Sequence, residues 1–205
     1  MTQVATGLRG VLSVPAVYDF LQWLTGSHRS RQEIVRCYVR AEPGQFILDI
    51  GCGTADILAY LPEVAYYGFD PSPRYVDAAR KRFRERATLT CATVTEQTLD
   101  GLPKFDLVLA MGVLHHLSDS EAVNLFRLAK SAMKPGGRLV TLDGCFVEKQ
   151  SRAARFLIER DRGQTVRDEE GYRALAGSVF DSVSSHIRHN LSRIPYTHVI
   201  LECDA

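Results

Sequence analysis

Several absences narrow this chain before any motif does. It has no C-x-x-C pair: its five cysteines (Cys37, Cys52, Cys91, Cys145 and Cys203) are odd in number and scattered. That usage speaks against a disulfide framework or a zinc ribbon and fits a reducing, cytoplasmic setting. No apolar run approaches the ~20 residues of a membrane-spanning helix, so no membrane association is expected. The start, MTQVATGLRGVLSVPAVYDF, lacks a basic segment followed by a long apolar one, so no secretory leader is expected. Net charge is only +1, which supplies no global field toward nucleic acid, and no aromatic-basic stripe stands in for one. Repeats and low-complexity tracts are absent as well.

What is present reads as an ordinary globular chain. Its 205 residues, 45% hydrophobic and 24% charged, suffice for one domain with a sizeable core. Three nearly continuous apolar runs, Phe46–Ile50, Tyr66–Asp70 and Phe105–Met111, read as strands covered on both faces. A fourth, Arg138–Gly144, follows a Pro135-Gly136-Gly137 turn. Helical spacing lies between them: Tyr75, Ala78, Ala79 and Phe83, then Ala122, Leu125, Phe126, Ala129 and Met133. Ser118 with Glu121 three residues on forms a capping box before the second stripe. Strands alternating with helices predict a parallel sheet built from βαβ units. Pro15 to Arg40 reads as two helices broken near Gly26. The last 25 residues or so read as two strands joined through Pro195, a terminal antiparallel hairpin.

The sharpest local signal is ILDIGCGTADIL, Ile47 to Leu58. Strand, Gly51-Cys52-Gly53, then helix is the geometry of a nucleotide-binding turn, where glycines let backbone approach a ligand. Asp70 ends the next strand, 17 residues after Gly53, where an acid can accept ribose hydroxyls. A dinucleotide site wants a third glycine, and here that position is Asp56. A carboxylate there would repel a pyrophosphate. With Asp49 it suits a cofactor that carries positive charge.

LDIGCGTADIL, YGFDPSPRYVDAAR, FDLVLAMGVLHHLSD and MKPGGRLV occur in order, and through them the chain resembles the class I S-adenosylmethionine-dependent methyltransferases, over about residues 40–145. The resemblance implies a Rossmann-like α/β fold, a seven-stranded, mostly parallel sheet with an antiparallel last strand and helices on both faces. It implies one domain over 1–205: capping helices to 42, a cofactor-binding core over 43–145, and substrate-side helices and a hairpin over 146–205. S-adenosylmethionine is the implied cofactor and S-adenosylhomocysteine the product. Asp49 then faces the methionyl end, Gly51, Cys52 and Gly53 pass under the cofactor, and Asp70 takes the ribose. Pro71 and Ser72 border the adenine, and Ala110 and Met111 lie beside the methionyl group. Relatives place an acid near CATVTEQ to bind the adenine amino group. Ala92-Thr93-Val94-Thr95 stands there instead, so contacts through backbone or hydroxyl, around Val94, are expected.

His115 and His116 follow the strand whose end borders the cofactor. Methyl transfer to a hydroxyl benefits from a general base, and histidine has the pKa for one. LHHLSD resembles the HDWSD-type segment of small-molecule O-methyltransferases, which makes His115 the base candidate. Neighbours in extended backbone point opposite ways, so His116 is expected to turn inward to backbone. The alternative reading makes both structural, in an enzyme that works by proximity. Metal binding is not expected, since adjacent histidines rarely chelate one ion.

Acceptor contacts are sought in the least regular segments. Tyr18 and Arg31 are candidates to close over the site, Arg31 on the cofactor's carboxylate; Phe20 and Trp23 read as packing. From Glu148 to Arg167 six cations face three acids, so Arg155 and its neighbours could meet an acceptor anion or form a solvated helix face. Tyr196 and His198 line the pocket or fix the turn. The leading expectation is methyl transfer to a hydroxyl of a small molecule or glycan. Carbon or nitrogen acceptors, a non-methylating use of the cofactor, an NAD-dependent oxidoreductase and a non-catalytic binding protein are the alternatives.

Overall fold

The computed structural model describes residues 27–160 and 165–205. Tyr18, and the first of the two N-terminal helices, lie outside them. Among the described residues eight strands run β1 (Phe46–Ile50), β2 (Ala65–Phe69), β3 (Ala87–Thr90), β4 (Phe105–Met111), β5 (Met133–Phe146), β6 (Arg167–Asp168), β7 (Ser182–Arg188) and β8 (His198–Asp204). The sheet path is β3-β2-β1-β4-β5-β8-β7, with β6 paired to β5 off that path. β8 alone runs antiparallel, against both β5 and β7. The expected seven-stranded path is therefore present, and the two-residue β6 is an addition to it.

Helices α1 (Ser27–Ile34), α2 (Pro73–Phe83), α3 (Glu96–Leu99), α4 (Asp119–Ala132), α5 (Arg152–Glu159) and α6 (Glu169–Gly177) cover the sheet. Side-chain alternation explains why both faces must be covered. In β4, Val108 and Ala110 join one buried cluster with Phe126 of α4 and Tyr172 of α6. Leu107 and Leu109 join the other, with Ile34 of α1 and Val76 and Ala79 of α2. The capping box at α4 forms as read: the Glu121 N–H donates to Ser118 Oγ and the Ser118 N–H donates to Glu121 Oε2 at 2.9 Å.

Three local expectations change. The glycine turn leads not into an α-helix but into a five-residue 3-10 helix, Asp56–Tyr60. Pro62 pushes Leu61 into extended backbone and ends it. Pro135-Gly136-Gly137 does not precede β5 but forms a bulge inside it, with Gly136 at φ +75° and a register shift opposite Phe105. β3, absent from the strand reading, is an edge strand of four residues, only one of them buried. No described helix is long and apolar enough to cross a membrane.

Candidate active site

Strand order reverses at β1, whose neighbours are β2 and β4, so a crevice opens beyond the strands' carboxyl ends. A cavity of about 470 Å³ lies there. Its floor is the glycine turn with Asp49, and its walls come from Arg31 and Ile34 of α1, Met111 and Gly112 at the end of β4, and Asp143 and Gly144 of β5. His115, Tyr196 and His198 complete it.

The glycine turn owes its shape to Gly51 and Gly53, both with positive φ (+74° and +54°). Gly51 and Cys52 donate their N–H groups to the carbonyl of Phe69, tying the turn to the end of β2. A Cβ on Gly51 would stand 2.6 Å from Val113 Cγ2, so a side chain there collides with the segment that carries the histidines. A Cβ on Gly53 would meet nothing within 4 Å. Asp70 accepts the Gly53 N–H on Oδ2 (3.0 Å) and the Ser72 N–H on Oδ1 (2.8 Å). Each oxygen keeps a second lone pair for a ligand.

Asp49 is buried. Its Oδ2 accepts from the Tyr66 hydroxyl, and its Oδ1 has no partner among the described residues. Burial, with Asp70 nearby adding to it, pushes the carboxyl up to about 7 despite the Tyr66 hydrogen bond. A buried acid with an unmet oxygen on the cavity floor suits a cationic ligand group. Asp56, read as a second such acid, does not act as one: Arg31 (3.1 Å) and Arg82 neutralise it. The attraction for a cation therefore falls to Asp49, while Asp56 holds Arg31 at the cavity wall. An acid for a cation, a carboxylate suited to a diol and an arginine for an anion match the ammonium, ribose and carboxylate of S-adenosylmethionine.

Opposite them the histidines divide, though not as expected. His115 is buried and faces the cavity; His116 is exposed, not turned inward. The reason is local: Leu114–His116 form a 3-10 turn, so neighbours do not alternate, and the two ring centroids lie 4.1 Å apart with the planes tilted by 42°. His115 Nδ1 donates to Asp143 Oδ1 at 2.7 Å, and its backbone N–H donates to the same oxygen at 3.1 Å. Burial raises the Asp143 carboxyl while His115 pulls it back down. Asp143 was missed in the sequence, although, like Asp49, it stands near a glycine at the end of an apolar strand.

Of the other candidates, Met111 lines the cavity, but Ala110 points into the opposite cluster, as alternation along β4 requires. Pro71 is exposed, Ser72 precedes α2, and Val94 packs against the same core cluster as Ala110. Tyr196 and His198 lie on the wall with rings 4.8 Å apart. A Cβ on Gly144 would come 2.4 Å from the Tyr196 hydroxyl, so Gly144 makes room for that ring. Arg155 is elsewhere, exposed on α5 and paired with Glu159. Ser192 and Ile194, not singled out in the sequence, also line the cavity. Among the described residues no cluster of metal-ligating side chains occurs.

A methyltransferase-domain family profile matches residues 48–139. Over 171 residues the chain is 29% identical to phosphoethanolamine N-methyltransferase 1 of Arabidopsis thaliana, covering 80% of this chain and 34% of that enzyme. The chain spans at most 51% of the length of the first curated relatives it matches. The fold superimposes on the mitomycin 7-O-methyltransferase MmcR with a TM-score of 0.65 at 19% identity, covering 96% of this chain and 60% of that one. It also superimposes on the plantazolicin methyltransferase BpumL, solved with S-adenosylhomocysteine, with a TM-score of 0.68 at 13% identity, covering 96% and 90%. At such identities the structural likeness is one of fold.

Proposed function

This chain belongs to the class I S-adenosylmethionine-dependent methyltransferases, and from that premise we propose that it methylates a hydroxyl oxygen of a small molecule or glycan, with His115 as general base. The observation that carries this reading is the buried His115–Asp143 pair at the cavity wall, 2.7 Å between Nδ1 and Oδ1. S-adenosylmethionine is the cofactor, and when bound it supplies an electrophilic methyl group on a sulfonium. Asp49 would hold its ammonium and Arg31 its carboxylate. The backbone of Gly51, Cys52 and Gly53 would run beneath it, Asp70 would take the ribose, and Pro71, Ser72 and Val94 would edge the adenine. Met111 would border the methionyl chain.

The chain's own contribution to the chemistry is placement and proton removal. Asp143 fixes the His115 ring, so proton transfer falls to Nε2, and it stabilises the imidazolium that forms. Tyr196 and His198 would hold a flat acceptor against that nitrogen.

Nitrogen is the second reading of the acceptor, favoured by the name of the Arabidopsis relative. The experiment is His115→Ala with radiolabelled S-adenosylmethionine and a panel of phenols, sugars and amines. Turnover on hydroxyl acceptors is expected to fall about 10²–10⁴-fold with cofactor affinity by calorimetry unchanged. Undiminished turnover would sink the base. Tight NAD(H) binding without S-adenosylmethionine binding would overturn the function altogether.

A further inference from the structure

Among the six cations counted between Glu148 and Arg167, one spends its donors inside the fold. The Arg167 side chain is 10% exposed, and it lies on β6, the two-residue strand added to the sheet. A guanidinium has five N–H donors in a fixed fork. Here five bonds use them. Nε and Nη2 donate to Asp119 Oδ1 at 2.9 and 2.7 Å. Nη1 donates to the carbonyls of Leu114 and Thr165, both at 3.1 Å, and Nη2 donates to the carbonyl of Leu117 at 2.8 Å. The Thr165 N–H donates to the carbonyl of His115, also at 3.1 Å.

Leu114, His115 and Leu117 are the 3-10 turn and its end. A turn this short leaves most of its carbonyls without an internal partner. Three carbonyls of this segment, those of Leu114, His115 and Leu117, are met by residues 165–167, and that of Leu114 also accepts the Leu117 N–H within the turn. On its other side the same turn is held through the His115 N–H by Asp143 Oδ1. Both sides trace back to one strand: Asp143 belongs to β5, and Arg167 pairs with Cys145 of β5 through β6. Tyr172 adds to the frame, lying under the guanidinium at 5.6 Å and donating its hydroxyl to the carbonyl of Gly144.

We propose that Arg167 is a positioning residue: by clamping the Leu114–Leu117 turn from β6, it holds the His115 ring on Asp143. The proposal rests on the reading of His115 as a working group of the site. It gives β6 and one arginine of the basic segment a task that neither the cofactor nor the acceptor needs to explain. It also takes Arg167 off the list of groups that could bind an acceptor anion, because its donors are spent inside the fold.

The test needs neither acceptor nor turnover. Full-length chain is labelled with ¹⁵N-histidine, and the His115 signals are assigned by their loss in His115→Gln. The wild-type chain is expected to show a single tautomer with a slowly exchanging proton on Nδ1. In Arg167→Met, which keeps the length and removes every donor, exchange of that proton is expected to quicken about 10- to 100-fold. S-adenosylmethionine affinity by calorimetry stays at the wild-type value. A folded Arg167→Met with unchanged His115 signals and exchange overturns the proposal. Should that variant fail to fold, Arg167→Lys decides. Lysine keeps the charge but not the fork, so exchange above wild type supports the clamp and an unchanged rate overturns it. If His115→Ala retains full turnover, the base reading falls by itself, and the clamp still stands or falls on the spectra.

Discussion

Asp49 and Asp143 hold matching places in the two halves of the site. Each lies near the carboxyl end of a parallel strand, each is buried, and each has one oxygen without a partner among the described residues. They differ in what the other oxygen meets. For Asp49 it is the hydroxyl of Tyr66, which donates a hydrogen bond but brings no charge. For Asp143 it is the imidazole of His115, which can take up a proton. A buried acid with a neutral partner asks for a cation from outside, whereas one with an imidazole carries its cation within the fold. One strand end is thus built to receive a charged ligand, and the other to hold a base.

That contrast can be broken first at Asp143. Asp143→Asn keeps the shape and removes the charge that fixes the His115 tautomer. Methyl transfer to a hydroxyl is expected to fall about 10²–10⁴-fold, while calorimetry finds the cofactor bound as in wild type. Equal losses in both measurements would mean that the two acids serve one role.

Asp49→Asn should do the reverse. Loss of a charged contact to the cofactor's ammonium should weaken binding about 10- to 100-fold, with turnover at saturating cofactor largely kept. It should also change how the ligand-free chain melts. Burial raises the folded carboxyl to about 7 from its ordinary 3.8, so the folded chain holds that proton more tightly than the unfolded one. The resulting stability is fully present below about pH 4 and is lost as pH rises toward 7 and past it, by a few kcal/mol on the order-of-magnitude scale of such linkage. Melting of wild type and Asp49→Asn across that range should show the difference closing to zero at low pH. A pH-independent difference would remove Asp49 from the titration. The smallest effect is expected at Arg155, exposed and outside both halves: Arg155→Ala should shift stability by no more than about 0.5 kcal/mol and leave cofactor binding alone.

The half that receives the cofactor was the more legible from sequence, for a physical reason. Its parts are local: Asp49, Gly51 and Gly53 fall within five residues at the end of β1, and Asp70 directly follows β2. The other half is assembled across the sheet. Asp143 reaches His115 over 28 positions of chain, and Arg167 reaches Leu114 over 53, distances at which no spacing rule operates. The same holds for Asp56, whose role reverses once Arg31 and Arg82 arrive from separate helices. Long apolar runs marked β1, β4 and the core of β5. β3 escaped because ATLT is short and lies at the sheet edge, and the 3-10 helix after the glycine turn escaped because Pro62 acts two residues beyond its end. The split of the histidines failed for the same kind of reason, since a 3-10 turn does not follow the alternation of extended chain.

The absent side chain at position 51 has a consequence for anyone who would rebuild this site. Val113 occupies the space a methyl group on Gly51 would need, and two residues later comes His115. The ligand-receiving turn and the base-bearing turn therefore touch with no spacer between them, like two gears cut for one mesh. A histidine turn transplanted from here into another scaffold must travel with a bare backbone at the place of Gly51, an acid at that of Asp143 and a clamp at that of Arg167, or it will not seat.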